Sequence, residues 1–470
     1  MNGFIGRSKE LRILEEIYAE SRHKTCAVTG RRQIGKSSLL RRFCTGKRNF
    51  FIQFYNGSEE QNLDRLSIGL SSFMGSEIKV GSYAEAMKLL MDITKAEKTV
   101  VVFDEYTYAS ASASFVSSAV QELVDWIVSE TESMIILCSS EMSALEDEIS
   151  SYGKPLYGRF PLRLKVGPLS PQETLGFHPG MDRMDAMRLY LTLGGIPIYH
   201  SLSTASTYRS NIEACYLRPP APFSNEAMSI VNRELKDGDK YTRILDAIGN
   251  GATTIKEIAS KCDVSEQLTG MYLSHLSSIG VVRPLVPMAG ANKRERRYAI
   301  TDYLVAFHYG VIMRRENLIG NREAECYDDI LPTISTQLGK SFEFLCRDFV
   351  GKAYGCSEVG SWWGTIGSMS EDGIEEEVDT DIDVVATVSK GKDRIDLFGE
   401  CKFRSRMMGM SDLETLMRRV GGLHGRFNPR YILFSASGFD EDLTDYAADN
   451  GVLLIGLDVL FGDSPAPPLG

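Results

Sequence analysis

Short, mostly apolar runs punctuate the first third of the chain: TCAVT (25–29), FFIQF (50–54), TVVVF (99–103), MIILC (134–138) and RLKV (163–166). Short apolar runs of this kind predict buried strands. Between them lie patterns with helical spacing. Leu11, Leu14, Ile17 and Tyr18 share one face, and KSSLLRRF, YAEAMKLLMDITK and SFVSSAVQELVDWIV repeat the arrangement. Strands alternating with helices predict a parallel sheet covered on both sides, an α/β domain over residues 1–166. Residues 167–235 read as a helical lid, broken at GGIP (194–197) and RPPAP (218–222). Three helical patterns follow, YTRILDAIG, TIKEIASKCD and SEQLTGMYLSHLSSIG, and then two strand-like stretches around a polar GANKRERR loop. That order predicts a winged helix over 236–302. A helical linker (303–334) leads to a second α/β domain (335–463), with the helix SFEFLCRDFVGKAY and the strands DIDVVATV, IDLFGECKF, RYILFSAS and VLLIGLD. The tail 464–470 is expected to be disordered.

Composition narrows this picture only a little. Of 470 residues, 43% are hydrophobic and 24% charged, an ordinary globular balance with material for several cores. No apolar run approaches the length of a membrane span, and charges interrupt the N-terminus too early for a signal core, so a cytoplasmic protein without a membrane partner is expected. The nine cysteines show no paired or metal-like spacing and read as reduced thiols. A net charge of −11 argues against a constitutive coat on nucleic acid, although RRFCTGKR (41–48), KRERR (293–297) and KFRSR (402–406) are local basic runs.

Residues 30–37, GRRQIGKS, fit the spacing G-x-x-x-x-G-K-[ST] between a predicted strand and a predicted helix. Triphosphate oxygens need several N–H donors aimed into one concavity. Gly30 and Gly35 let the backbone of Arg31, Arg32, Gln33 and Ile34 curl closely enough to provide them, and the helix opening at Lys36, Ser37 and Ser38 adds its positive end. Lys36 then reaches the β- and γ-phosphates, and the Ser37 hydroxyl ligates Mg²⁺. Asp104 closes the run TVVVF and is placed to hold the same ion, while Glu105 is placed to polarise the attacking water. MIILCSSE ends in Ser139 and Ser140. One polar residue there, taken as Ser139, is expected at the γ-phosphate. The cofactors implied are ATP and Mg²⁺.

The ordered set FIGRSKEL (4–11), GRRQIGKSSLL (30–40), VVFDEY (101–106), CSSE (138–141), YGKPLYGR (152–159), PLSPQET (168–174) and LGGIPIY (193–199) resembles archaeal-type ATPases of the AAA+/STAND group. The resemblance implies a P-loop NTPase fold with a helical lid and winged helix. It places Gly6 and Arg7 near the adenine or ribose, and it gives Arg159 a role at a γ-phosphate, which hints at a homo-oligomer. Tyr106 and Thr107 stand where members usually have Phe-Gln, and Cys138 stands where they usually have Gly.

The C-terminal part is similar to the PD-(D/E)xK, restriction-endonuclease-like domains often fused to such ATPases. Asp383 in DIDVVA and Glu400 in LFGECKF are flanked by apolar residues, where an unpaired charge is costly. Lys402 shares a strand face with Glu400. Glu343, on the helix before them, would complete an acidic cluster for a second Mg²⁺, with Lys402 catalytic. Trp362 and Trp363 read as core. In the winged helix, Ser265 is the expected cap of the recognition helix, and Thr269 and Ser274 are expected on its outer face. That helix has no Lys or Arg, so KRERR is its candidate phosphate contact. The reading is an ATPase whose nucleotide state acts on the winged helix and nuclease-like domain, with double-stranded DNA or a protein as partner. The alternative is a slow nucleotide switch that binds without cutting.

Overall fold

The computed structural model describes residues 3–20, 24–235, 238–289, 295–315, 326–356, 358–369, 375–390, 393–425 and 427–469. The chain divides into two compact units. One holds residues 1–169 and 195–198, and the other 170–194 and 199–470.

The first unit is built on five strands, β1 (Thr25–Thr29), β2 (Asn49–Gln53), β3 (Val100–Asp104), β4 (Met134–Ser139) and β5 (Leu162–Lys165). Their order is β2-β3-β4-β1-β5, and every pairing is parallel. Seven helices surround them: α1 (Ser8–Ala19), α2 (Lys36–Cys44), α3 (Glu59–Met74), α4 (Tyr83–Ala96), α5 (Tyr106–Ser112), α6 (Val116–Glu130) and α7 (Met142–Ser150). Strand alternation assigns the side chains to two cores. Val101 and Phe103 of β3 join Leu90, Leu123 and Leu145 on one face. Val100 and Val102 join Leu14, Leu39 and Phe43 of α1 and α2 on the other. A run apolar at every position is what such a two-sided strand requires.

In the second unit, short helices occupy 170–194 and 199–234. Helices Gly238–Gly249, Ile255–Cys262 and Glu266–Ser278 follow, and then an antiparallel ribbon, β6 (Val282–Leu285) and β7 (Arg297–Ile300). Ser265 caps the third helix by accepting from Leu268 N–H, as its sequence suggests. Thr269, however, is fully buried rather than outward, whereas Ser274 is exposed. Helix phase turns Thr269 inward. Thr269 shares its stripe with Tyr272, Leu273 and Leu276, which fill the core between the three helices. Of KRERR, Lys293 and Arg294 lie outside the described residues.

A long helix, Cys326–Tyr354, packs on a second sheet of β8 (Val359–Met369), β9 (Glu375–Lys390), β10 (Asp393–Lys402), β11 (Pro429–Ser435) and β12 (Leu453–Ile455). The order is β12-β11-β10-β9-β8. β8, β9 and β10 are antiparallel neighbours, and β10, β11 and β12 run parallel. Trp362, Ile382, Phe398 and Leu433 form its core with Leu413 and Leu416 of helix Met410–Gly421. Trp363 is buried under the Arg297 guanidinium. In the tail, Tyr354 donates its hydroxyl to the Pro467 carbonyl (3.1 Å). Among the described residues no helix is long and apolar enough to cross a membrane.

Candidate functional site

The loop between β1 and α2 is shaped by two left-handed residues, Gln33 (φ 63°) and Gly35 (φ 93°). Gly30 serves a different end. A Cβ there would meet the Val166 carbonyl oxygen at 2.6 Å, so the residue must lack one for the loop to pass β5. Ser38 is exposed at the first turn of α2. Residues 195–198 return to this loop, with Pro197 Cγ in van der Waals reach of Gly35.

Lys36 is almost fully buried. Its Nζ donates to the carbonyls of Gly30 (2.9 Å) and Arg31 (3.1 Å) and to Ser140 Oγ (2.8 Å). Ser37 Oγ donates to Asp104 Oδ2 (2.6 Å). Asp104 is wholly buried at the end of β3, and its other oxygen has no hydrogen-bond partner among the described residues. Burial raises its proton affinity above the ordinary carboxylate range, and the Ser37 hydroxyl offsets this in part. A hydroxyl and a half-satisfied buried carboxylate side by side fit a divalent cation on a bound triphosphate. Glu105 follows in left-handed backbone (φ 52°) and lies 4.0 Å from Lys36 Nζ. It receives the Ser140 backbone N–H on Oε2 (2.9 Å) and the Ser140 hydroxyl on Oε1.

Three expectations are redirected by this geometry. Ser139 does not face the loop. It is buried against the Thr107 hydroxyl (2.7 Å) and accepts from Glu141 N–H, because it is still part of β4 and points with the strand. Ser140, one residue past the strand end, turns to Lys36 and Glu105 instead. Arg7 is a brace: it donates to the carbonyls of Gly167 (2.6 Å) and Ile34 (2.7 Å) and is 3% exposed. With Gly6 (φ 72°) it starts α1 in left-handed backbone. Arg159 lies at the far end of the sheet. Its carbonyl accepts from Thr25 Oγ1 at the start of β1, about 13 Å of strand from the loop. Its guanidinium is held by Asp125 (2.7 and 3.0 Å). Arg32, among the loop residues, donates to the Tyr108 hydroxyl.

The C-terminal carboxylates converge, but each already has a partner. Asp383 Oδ2 accepts the Cys401 N–H (2.8 Å). Glu400, buried, is paired with Lys402 through Oε1 and with Arg419 through Oε2 (3.0 Å). Arg347 donates to Glu343 (3.4 Å) and to the Asp383 carbonyl (2.8 Å). Glu343 and Asp383 hold protons more tightly than ordinary carboxyls. Burial is the first cause, and for Asp383 the charges of Glu343 and Glu400 add to it. Among the described residues no group of three or more His, Cys, Asp or Glu is arranged to hold a metal ion. Glu343, Asp381, Asp383, Arg347 and Trp363 line a cavity of about 280 Å³. Several charges of the basic runs are paired. Lys47 pairs with Glu15 (2.7 Å), Arg48 with Glu97 (2.7 Å) and Arg404 with Asp412 (2.6 Å).

Residues 4–199 match the family model of an ATPase domain predominantly from Archaea. Residues 308–414 match a model described as archaeal and bacterial proteins of unknown function. An uncharacterised protein of Methanocaldococcus jannaschii is 22% identical over 452 residues, 93% of this chain and 100% of the relative. Among solved structures, a Walker-type ATPase of Pyrococcus abyssi is 20% identical with a TM-score of 0.49, over 65% of this chain and 96% of its own. A STAND protein with a tetratricopeptide repeat sensor from Pyrococcus horikoshii is 14% identical with a TM-score of 0.31, over 75% of this chain and 50% of its own. The N-terminal part is thus similar to archaeal-type ATPase domains.

Proposed function

We propose that the protein binds ATP with Mg²⁺ and hydrolyses it, and that the nucleotide state acts on the C-terminal half. The observation that carries this is the convergence of Lys36, Ser37, Asp104 and Glu105 at the open end of one parallel sheet. The loop amides bind the phosphates and Lys36 neutralises their charge. Glu105 orients a water and takes its proton. Mg²⁺, held by Ser37 Oγ and Asp104, would supply neutralisation of the leaving phosphate. Any phosphate contact by Arg159 would be made on a second copy in a homo-oligomer. Calorimetry of the purified chain with ATP and Mg²⁺ tests the reading. Lys36→Ala should lose uptake, and Glu105→Gln should retain uptake but not turnover. Normal turnover by Glu105→Gln would remove that carboxylate from the mechanism.

For the second half we read the three helices and ribbon as a winged helix, and the mixed sheet as nuclease-like. Two readings compete. The mutual influence of Glu343, Asp383 and Glu400, with Lys402 on Glu400, supports metal-dependent cleavage of double-stranded DNA. The salt bridges already made by Glu343 and Glu400 support a switch that binds without cutting. The exposed Leu268 and Met271 on a helix lacking Lys and Arg support a protein partner for that switch. Plasmid nicking with Mg²⁺ or Mn²⁺, comparing the unaltered chain with Lys402→Ala, separates them. Equal rates dispose of cleavage at this site.

A further inference from the structure

The second unit holds a cavity of about 280 Å³ between the β6–β7 ribbon, the long helix Cys326–Tyr354 and strands β8 and β9. Strand alternation decides what the sheet sends into it. Trp362 and its register partner Ile382 face the core shared with Leu413, so Trp363 and its partner Asp381 face the opposite side, toward the cavity. Along the helix, Gln337, Lys340, Phe344 and Arg347 recur three or four residues apart and so present one face to the same space. The volume is close to the lower bound of small-molecule sites, roughly 300 Å³, and several times the roughly 30 Å³ that one water occupies in the liquid.

The lining is rich in donors with nothing to donate to. Trp363 is 5% exposed, and its indole N–H has no acceptor among the described residues. A buried donor left bare is costly, so an acceptor is wanted there. The Arg297 guanidinium sits 4.7 Å from the centre of the Trp363 ring. Arg297 and Lys340 are both exposed at this cavity, and neither makes a hydrogen bond or salt bridge among the described residues. Other cations nearby are occupied, Arg347 by Glu343 (3.4 Å) and Arg419 by Glu400 (3.0 Å). Among the carboxylates on the wall, Glu343 thus has its cation, Asp383 accepts the Cys401 N–H (2.8 Å), and Asp381 is exposed to solvent. A ligand that satisfies this wall needs a planar body with a hydrogen-bond acceptor, and an anionic end.

We propose that the cavity is a binding site for a nucleoside monophosphate. The base packs against Phe344, and one of its ring nitrogens or carbonyls accepts the Trp363 N–H. The phosphate is drawn to Arg297 and Lys340, where a guanidinium fork and an ammonium give charge-assisted bonds. Arg297 belongs to the ribbon, Lys340 to the helix and Trp363 to the sheet, so one bound ligand ties the three together. Neither the phosphate loop nor a metal ion takes part, so the site is independent of ATP hydrolysis and of DNA cleavage.

The test is calorimetry on the full chain carrying Lys36→Ala, which disables the phosphate loop, in buffer free of divalent cations. Adenosine or guanosine monophosphate should show saturable uptake. Arg297→Ala and Lys340→Ala should each weaken it roughly tenfold, the worth of a charge-assisted bond. Trp363→Phe keeps a ring and removes the N–H, and should weaken uptake roughly two- to tenfold. Inorganic phosphate and the bare nucleosides, each one half of the ligand, should bind more weakly than the monophosphates. Arg297 and Lys340 are exposed, so their variants should melt like the parent, and this is checked on the same samples. Absence of saturable uptake of both monophosphates overturns the proposal. So does uptake indifferent to Arg297→Ala and Lys340→Ala, which puts the ligand elsewhere. Inorganic phosphate binding as tightly as the monophosphates also overturns it, because the site is then only a pair of surface charges.

Discussion

Arg7 shows how one buried side chain can tie the loop 30–37 to the segment after β5. Its guanidinium satisfies two carbonyls, one in the phosphate loop and one after β5, and is itself buried. Arg7→Ala leaves both acceptors short of a donor, which costs on the order of 2–4 kcal/mol. We expect the first unit to melt lower in the absence of any nucleotide, an effect that a ribose contact would not produce. A melt equal to that of the unaltered chain would restore the ribose contact as the better account. Gly30 behaves alike. Gly30→Ala drives a methyl into the Val166 carbonyl and should lower both stability and ATP uptake, whereas Gly35→Ala meets only Pro197 and suffers chiefly from its φ of 93°. Calorimetry and thermal melts on the pair should rank Gly30→Ala as the more damaging. The loop itself was legible in the sequence because its spacing is dictated by phosphate geometry. The identities of Ser140 and Arg7 were not. Which of two adjacent serines turns inward depends on where β4 stops, and boundary positions are the least determined by local pattern.

At the scale of elements, the central strands β1, β3 and β4 were readable because parallel strands buried on both faces leave an unbroken apolar signature, which the edge strands β2 and β5 lack. The helix 266–278 was harder. Its hydroxyl-bearing positions look alike in a sequence, yet Thr269 falls on the stripe that packs inward and Ser274 on the one that does not. The Thr269 hydroxyl is buried with no hydrogen-bond partner among the described residues. Thr269→Val keeps the shape and removes the unsatisfied group, so the variant should be more stable by about 1 kcal/mol. Denaturant titration of the full chain measures this, and a loss of stability would mean that the hydroxyl is satisfied. In the C-terminal sheet, strand alternation correctly put Glu400 and Lys402 on one face, where they pair. What no sequence pattern could show was Arg419, nineteen residues on, reaching Glu400 from helix Met410–Gly421. Long-range ion pairs leave no periodicity.

At the scale of the whole molecule, buried ionisable groups shape how stability responds to pH. Three histidines stand out in the second unit. His178 Nε2 and His200 Nδ1 are 2.9 Å apart, and His200 Nε2 lies 2.7 Å from the Gly194 carbonyl. His308 is buried with both ring nitrogens unpartnered among the described residues. Burial lowers all three to about 4 from an ordinary value near 6.5. The folded state thus keeps them neutral where the unfolded chain would protonate them. The unfolded state binds more protons between pH 6.5 and 4, so stability is full above that window and is lost as pH falls through it. At pH 5 each ring costs about 2 kcal/mol, from one and a half units at 1.36 kcal/mol each. The three rings push the melting midpoint, followed by circular dichroism, down between pH 7 and pH 5, while the raised carboxyls Asp104, Glu343 and Asp383 push it up. His308→Leu, which removes one titrating ring without breaking a hydrogen bond of the His178–His200 pair, should gain about 2 kcal/mol of stability at pH 5 relative to its stability at pH 7, compared with the unaltered chain. A pH profile identical to that of the unaltered chain would mean that His308 is already solvated when folded, and that its burial does not set the response.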